Sequence, residues 1–149
     1  MKILRIQGKN LASIAGEFDI DFTAAPLRSA GIFAICGPTG AGKSTILDAI
    51  CLALFNNMPR TTGIEGTKMP DVGQEFIQQG DRRQILRRGT AEAMAAVEFI
   101  AVDGKSYRSV WRVWRANNKI SGKLQPAELR VYPLGDPSPI TTGISESEN

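Results

Sequence analysis

Hydrophobic positions along this chain fall into short runs whose period changes from one segment to the next. Residues 2–7 (KILRIQ) and 17–22 (EFDIDF) read as strands; in the second, Phe18, Ile20 and Phe22 alternate with Glu17, Asp19 and Asp21, which gives one apolar and one charged face. Residues 31–36 (GIFAIC) form a continuous apolar run bounded by glycine, the pattern of a strand buried on both faces. Residues 43–55 (KSTILDAICLALF) carry Ile46, Leu47, Ile50, Ala53 and Leu54 around almost the whole helical circumference, which predicts a helix in the middle of a domain.

Further along, Pro59, Gly63, Gly66, Pro70 and Gly73 punctuate residues 56–80, so this stretch is expected to be an irregular excursion with a short helical piece near 75–79. Asp103-Gly104 joins two β-rich runs within 92–115, a hairpin signal. Read as a two-residue loop, it pairs Val102 with Lys105, Ile100 with Tyr107, Val97 with Val110 and Glu92 with Arg115. That register puts Met94, Ile100, Tyr107, Trp111 and Val113 on one face, and Val97, Phe99, Arg108, Val110, Arg112 and Trp114 on the other. Both faces are largely apolar, so the pattern alone leaves open which one is wet. Residues 128–133 (ELRVYP) predict one more strand, and the tail 136–149 is rich in Pro, Ser, Thr and Gly.

The segment with chemical content lies between the apolar run and the helix. Gly37-Pro38-Thr39-Gly40-Ala41-Gly42-Lys43-Ser44 fits G-x-x-x-x-G-K-[ST] in the context that pattern requires. Its glycines let the backbone curl so that successive amides face inward, and the following helix start adds positive potential. Such a nest fits the phosphates of ATP. Lys43 would place an ammonium on the β and γ phosphates as the catalytic cation, and the Ser44 hydroxyl would ligate Mg²⁺. Thr45 would be a nearby phosphate contact. Asp48, one turn on, reads equally as an outer-shell metal partner or as a residue favoured by the helix dipole.

Charge and composition narrow the picture. The net charge is +3, but residues 105–127 hold Lys105, Arg108, Arg112, Arg115, Lys119 and Lys123 with no acidic residue. Such a run suits phosphate contacts with DNA through Arg108, Arg112 and Arg115; the alternative is solvated or ion-paired arginines around core tryptophans. With no histidine and only Cys36 and Cys51, a zinc site has too few ligands. Both cysteines are expected free and buried. The longest apolar stretch, 49–55, is far shorter than a membrane span, and the start lacks the apolar region of a secretion signal, so a cytoplasmic protein without membrane attachment is expected.

Lys9-Asn10-Leu11, the strand around Phe18 and Phe22, the phosphate-loop string with Thr45, Leu47-Asp48-Ala49-Ile50, Cys51-Leu52-Ala53-Leu54, Pro59-Arg60, Thr90-Ala91-Glu92, Val97-Glu98-Phe99 and Tyr107-Arg108 together resemble the start of the SbcC-type exonuclease subunits, SMC-like ATPases with an ABC-type head. The resemblance is interrupted at residues 64–82 and near the end. It implies an α/β P-loop NTPase fold in which residues 1–149 are the N-terminal half of a head, with a mixed central sheet around residues 31–36 and an adjoining antiparallel sheet. It also implies a second head as homodimer partner, an SbcD-like nuclease subunit, double-stranded DNA ends or hairpins as substrate, and ATP hydrolysis that this segment binds for but does not complete alone. At Ala12 many relatives carry a longer polar side chain near the nucleotide. A small P-loop nucleotide or metabolite kinase is the alternative from a different class; it would need acceptor and lid residues.

Overall fold

A computed structural model describes residues 1–64 and 66–140; the end of the polar tail, 141–149, lies outside the described residues. In chain order the elements are β1 (Lys2–Leu11), β2 (Ile14–Asp21), α1 (Lys43–Phe55), β3 (Lys68–Pro70), β4 (Phe76–Gln78), β5 (Glu92–Ile100), β6 (Ser106–Trp114) and β7 (Glu128–Pro133). Five of the strands make one sheet in the order β2-β1-β5-β6-β7, with every pairing antiparallel.

The pairings sort side chains into rows that run across the sheet. On one face lie the rows Phe18, Gly8, Ala95, Trp111, Leu129 and Ile20, Ile6, Val97, Ser109, Val131. On the other lie Asp21, Arg5, Glu98, Arg108, Tyr132 and Glu17, Lys9, Met94, Arg112, Glu128. The first set is the core and the second is a lattice of alternating charge, so the sheet is dry on one face and wet on the other, as antiparallel sheets permit. Opposite charges placed directly across strands each add a little to pairing.

The hairpin register differs by one residue from the expected one. Ala101 N–H donates to Lys105 O at 2.9 Å, and Gly104 N–H donates to Ala101 O at 3.1 Å with φ +79° at Gly104. Residues 102–104 therefore form a three-residue loop, a type I turn closed by a left-handed glycine. Phe99 pairs with Tyr107, Val97 with Ser109 and Glu92 with Trp114. A slip of one residue changes the face of every partner: Val97 and Phe99 join Trp111 on the dry side, while Met94 and Ile100 join Arg112 on the wet side.

Helix α1 lies on the dry face. Its buried residues Thr45, Asp48, Ala49, Leu52 and Ala53 recur every three to four positions and form one stripe. Ala93 and Ala95 on β5 are small and fully buried, which gives the helix room to approach the sheet. Its C-terminal end is tied to β6: Asn56 adopts a left-handed cap with φ +51°, its N–H donates to Leu52 O at 3.0 Å, and its Oδ1 accepts from Trp111 Nε1 at 3.1 Å. The buried Ser109 hydroxyl donates to Ala53 O. The expectation of burial all round fails on the opposite side, where Leu47 and Phe55 are 56% and 67% exposed.

Two further expectations are corrected. Residues 31–36 pair with no strand among the described residues, so the mixed sheet expected around them is not formed. A strand needs a ladder partner, and the sheet satisfies its interior pairings among its own five members. Ile32 is 94% exposed and Cys36 is exposed rather than buried, although Phe33 stacks on Phe22 with ring centroids 4.8 Å apart. The helical piece expected near 75–79 is instead β4, paired with β3 around a turn in which Asp71 N–H donates to Glu75 O at 2.9 Å. Both cysteines are free. No helix among the described residues is long and apolar enough to cross a membrane.

Candidate functional site

The loop 37–44 turns at Gly40 and Gly42, with φ +83° and +93°, and leads directly into α1. Gly42 is required on two counts. Its backbone is left-handed, and a Cβ there would stand 2.5 Å from Ile14 Cγ1 and 3.3 Å from Ser13 Oγ, so the turn between β1 and β2 sits against the loop. The first bond of the helix is Ile46 N–H to Gly42 O at 3.1 Å. The amides of Lys43, Ser44 and Thr45 precede it and have no helical carbonyl within reach.

Lys43 closes the loop on itself. Its Nζ donates to Gly37 O at 2.6 Å and to Pro38 O at 2.8 Å, and Ala41 N–H donates to Pro38 O at 3.2 Å. An ammonium has three donors, so these contacts hold the loop curled and leave one donor for a ligand. The result is a curled glycine loop, a helix start and a positive charge in one place, which is the chemistry of an anion site. Ser44 is exposed at this helix start, whereas Thr45 is buried. The Thr45 hydroxyl lies 3.5 Å from Ser13 Oγ, in the turn between β1 and β2. Among the described residues no group of three or more acidic, cysteine or histidine side chains could cage a metal. The Ser44 hydroxyl suits Mg²⁺ all the same, because that ion is commonly held by one or two protein oxygens together with phosphate oxygens and water.

Asp48 is 5% exposed, and Arg60 donates to its carboxylate. Burial pushes the Asp48 carboxyl above the ordinary carboxylate range, and the neighbouring guanidinium only partly reverses this. Neither of the two readings open at Asp48 describes the contact it makes: the side chain ties α1 to the segment that follows it. Arg60 is not legible as its partner in the sequence, because a helix end and a loop separate them.

The basic run that starts along β6 meets carboxylates that lie outside it in sequence. Arg108 donates to Glu98 at 2.7 Å, Arg112 lies 3.8 Å from Glu92, and Lys123 lies 3.4 Å from Glu75. Arg115 is 8% exposed, donates to both oxygens of Asp71 at 2.6 and 3.0 Å, and also donates to Gly122 O at 3.1 Å. This bidentate pair holds the Asp71 carboxyl below its ordinary range. Arg115 is thus withdrawn from the surface, while Arg108 and Arg112 stay on the wet face. On the other side of the molecule, Ile3, Ile6, Phe22, Phe33, Leu47 and Ile50 line an apolar groove of about 850 Å³.

A loop of the form G-x-x-x-x-G-K-[ST] that opens a helix, set beside an antiparallel sheet, is the arrangement of a P-loop domain. Residues 5–134 match the family described as AAA domain, and the chain belongs to that family. Within it, the chain is similar to the C component of the SbcCD nuclease of Pseudomonas aeruginosa, 53% identical over 135 residues that cover 90% of this chain and 11% of that protein. It is also 53% identical over 126 residues to the C component of the SbcCD nuclease of Rhodobacter capsulatus, covering 84% of this chain and 10% of the relative. A third relative, described as a probable DNA double-strand break repair Rad50 ATPase of Aquifex aeolicus, is 33% identical over 135 residues, covering 91% of this chain and 11% of its own length. The chain therefore spans about a tenth of the length of the curated relatives it matches.

Proposed function

We propose that residues 1–149 are the N-terminal part of an ABC-type ATPase head in an SMC-like DNA-repair ATPase, and that the loop 37–44 binds MgATP. The observation that carries this reading is the loop itself, curled at Gly40 and Gly42 and pinned by Lys43 to the carbonyls of Gly37 and Pro38. In this reading the amides of residues 39–45 receive the phosphates, that of Ala41 by giving up its bond to Pro38 O, Lys43 balances the charge on the β and γ groups, and the Ser44 hydroxyl holds Mg²⁺. Bound Mg²⁺ supplies charge neutralisation at the phosphate oxygens.

Hydrolysis needs a further group that orients the attacking water. The acidic side chain nearest in sequence to the loop is Asp48, which is buried and occupied by Arg60. The segment alone is accordingly proposed to bind nucleotide without turning it over. The names of the relatives support a protein that acts in DNA double-strand break repair together with a nuclease; a cytoplasmic location, a second copy of the head and an SbcD-like subunit acting on DNA ends are part of the same proposal. The apolar groove beside Phe33 and Leu47 is surface that the rest of such a head would cover. Arg108 and Arg112 are the proposed DNA contacts, and the pairing of Arg115 with Asp71 removes it from that group.

The test is a titration of the purified protein with a fluorescent ATP analogue, with and without Mg²⁺. Saturable binding is expected, strengthened by Mg²⁺ and weakened about a hundredfold or more by Lys43→Ala, as befits removal of a charge-assisted contact. Unchanged binding in Lys43→Ala would falsify the assignment.

A further inference from the structure

On the wet face of the sheet, β6 ends in a tryptophan. Trp114 lies directly across from Glu92, next along that face from the Met94 and Arg112 pair, because side chains two residues apart share a face. Its indole is half-buried and makes no hydrogen bond among the described residues. Trp111 differs on both counts: it is fully buried in the core, and its Nε1 donates to Asn56.

The loop after β6 builds a wall beside Trp114. Asn117 and Asn118 take left-handed backbone, with φ +56° and +51°, a conformation in which asparagine is enriched, and Asn118 N–H donates to Arg115 O at 3.0 Å. The loop is fastened on both sides. Ala116 N–H donates to Lys123 O at 2.8 Å, Gln125 N–H donates to Trp114 O at 2.9 Å, and a Cβ at Gly122 would collide with Ala116 O. Together these elements form a pocket of about 370 Å³ lined by Glu92, Arg112, Trp114, Asn118 and Glu128.

The two carboxylates in the lining are already answered, Glu92 by Lys9 at 2.9 Å and Glu128 by Arg130 at 3.0 Å, so the pocket does not call for a cation. What stays unspent is the indole face, the Asn118 side-chain amide, which has no hydrogen bond among the described residues, and the Arg112 guanidinium, 3.8 Å from Glu92. An amide offers both donors and an acceptor. A π surface beside such groups fits a flat, neutral heterocycle. Positive charge adjoins it: Arg112 in the lining, and Lys119, next in the chain to Asn118, exposed and without a carboxylate partner among the described residues. Single-stranded nucleic acid is held by this combination of aromatic platform and cations along the backbone. Building on the reading of the wet face as a DNA surface, we infer that Trp114 and Asn118 form a nucleobase site. It takes an unpaired base of a DNA strand, whose flanking phosphates lie on Arg112 and Lys119. A paired base is held inside the duplex stack and does not enter such a pocket.

Tryptophan fluorescence and the anisotropy of labelled DNA test this on the purified protein. The probes are a single-stranded thymine oligonucleotide, an abasic strand of the same length, and a blunt duplex. The thymine strand is expected to quench Trp114, since Trp111 is out of reach in the core, and to bind about tenfold more tightly than the abasic strand, the scale of one base stacked on an aromatic side chain. The duplex should leave the emission unchanged. Trp114→Ala should abolish the preference for the thymine strand, and Trp114→Phe, which keeps a ring, should retain most of it. Equal affinity for the two strands, with Arg112→Gln weakening both, would overturn the inference and leave the DNA reading standing. Binding of neither strand would overturn both. Quenching by thymidine monophosphate as strong as by the strand would overturn it in favour of a free-nucleotide site, and quenching by a lysine-rich peptide but not by DNA would overturn it in favour of a protein partner. Should Trp114→Ala not fold, the two strands compared on the unmodified protein still decide.

Discussion

Helix α1 has two sides, and they are in different physical states. Toward the sheet, Ala49, Leu52 and Ala53 meet Ala93, Ala95, Val97, Trp111 and Val113 in a core that is essentially dry, and the helix end is hydrogen-bonded to β6 through Asn56 and Ser109. Away from the sheet, Leu47 is half exposed beside Phe33 and Ile35, with no ladder among the described residues. The phosphate loop hangs from the boundary between these sides. What this contrast teaches is that the nest takes its shape from the packed side, through Gly42 against Ile14 and Ser13, while the apolar side contributes little to holding it.

Truncation on each side gives the largest expected difference. Trp111→Ala removes a fully buried aromatic and its bond to Asn56, and is expected to lower unfolding free energy by about 3–5 kcal/mol. Phe33→Ala, half exposed and outside any ladder, should cost less than about 1 kcal/mol. Chemical denaturation of both variants checks this, and similar losses would erase the proposed asymmetry. Next in size is Gly42→Ala at the boundary. It forces a Cβ into both a left-handed backbone and the Ile14 side chain, and should cost about 1–3 kcal/mol while weakening nucleotide binding. The paired loss across melting and titration distinguishes a boundary position from an independent loop.

The Asp71–Arg115 pair brings a smaller, pH-dependent effect on the packed side. The carboxyl of Asp71 is lowered in the fold from its ordinary value of 3.8. Its contribution is therefore present above that value and is lost as pH falls through the folded pKa. Both side chains are largely buried, Arg115 at 10% and Asp71 at 15% exposure, so screening is modest. Asp71→Asn is expected to cost about 1.5–3 kcal/mol at neutral pH, the range for hydrogen bonds to charged groups. The gap from the unmodified protein should close in strong acid; a gap independent of pH would show that packing of residues 70–75, not charge, is what Arg115 supports.

How much of this is legible in the sequence follows from the range of the forces involved. The phosphate loop and α1 are readable because the glycines, the lysine and the apolar helix are contiguous, and Lys43–Phe55 comes out with both ends as expected. The strands β1, β2, β5, β6 and β7 are visible as short β-rich runs, β2 by its alternation as well. The hairpin register is not, because Asp-Gly reads as both central residues of a two-residue loop, whereas Gly104 closes a three-residue one. The 31–36 run misleads for a different reason: apolar continuity reports a tendency to be covered, and only the pairing partners decide whether a strand forms. Ser13 and Arg60 around the site, and Asp71 against Arg115, carry no local signal, since each acts through a contact across at least a dozen positions of sequence. No short-range periodicity encodes such contacts.

The smallest expected effect lies on the wet face, and it concerns what the arginines there are for. Arg112 is 57% exposed in its side chain and 3.8 Å from Glu92, while Glu128 directly across from it is paired with Arg130, so a DNA phosphate would have to compete with one loosely held carboxylate for the guanidinium. Arg112→Gln should change folding stability by less than about 0.5 kcal/mol, as an exposed, loosely paired charge does. If the wet face meets DNA, this variant should weaken DNA binding and reduce the slope of log affinity against log salt by up to about 0.9, the increment for one phosphate contact. Arg108, held closer by Glu98 at 2.7 Å, should show a smaller slope change in Arg108→Gln than Arg112 does. Salt slopes unaltered in both variants would mean that the alternating charges serve only strand pairing, and that any contact with DNA is made elsewhere.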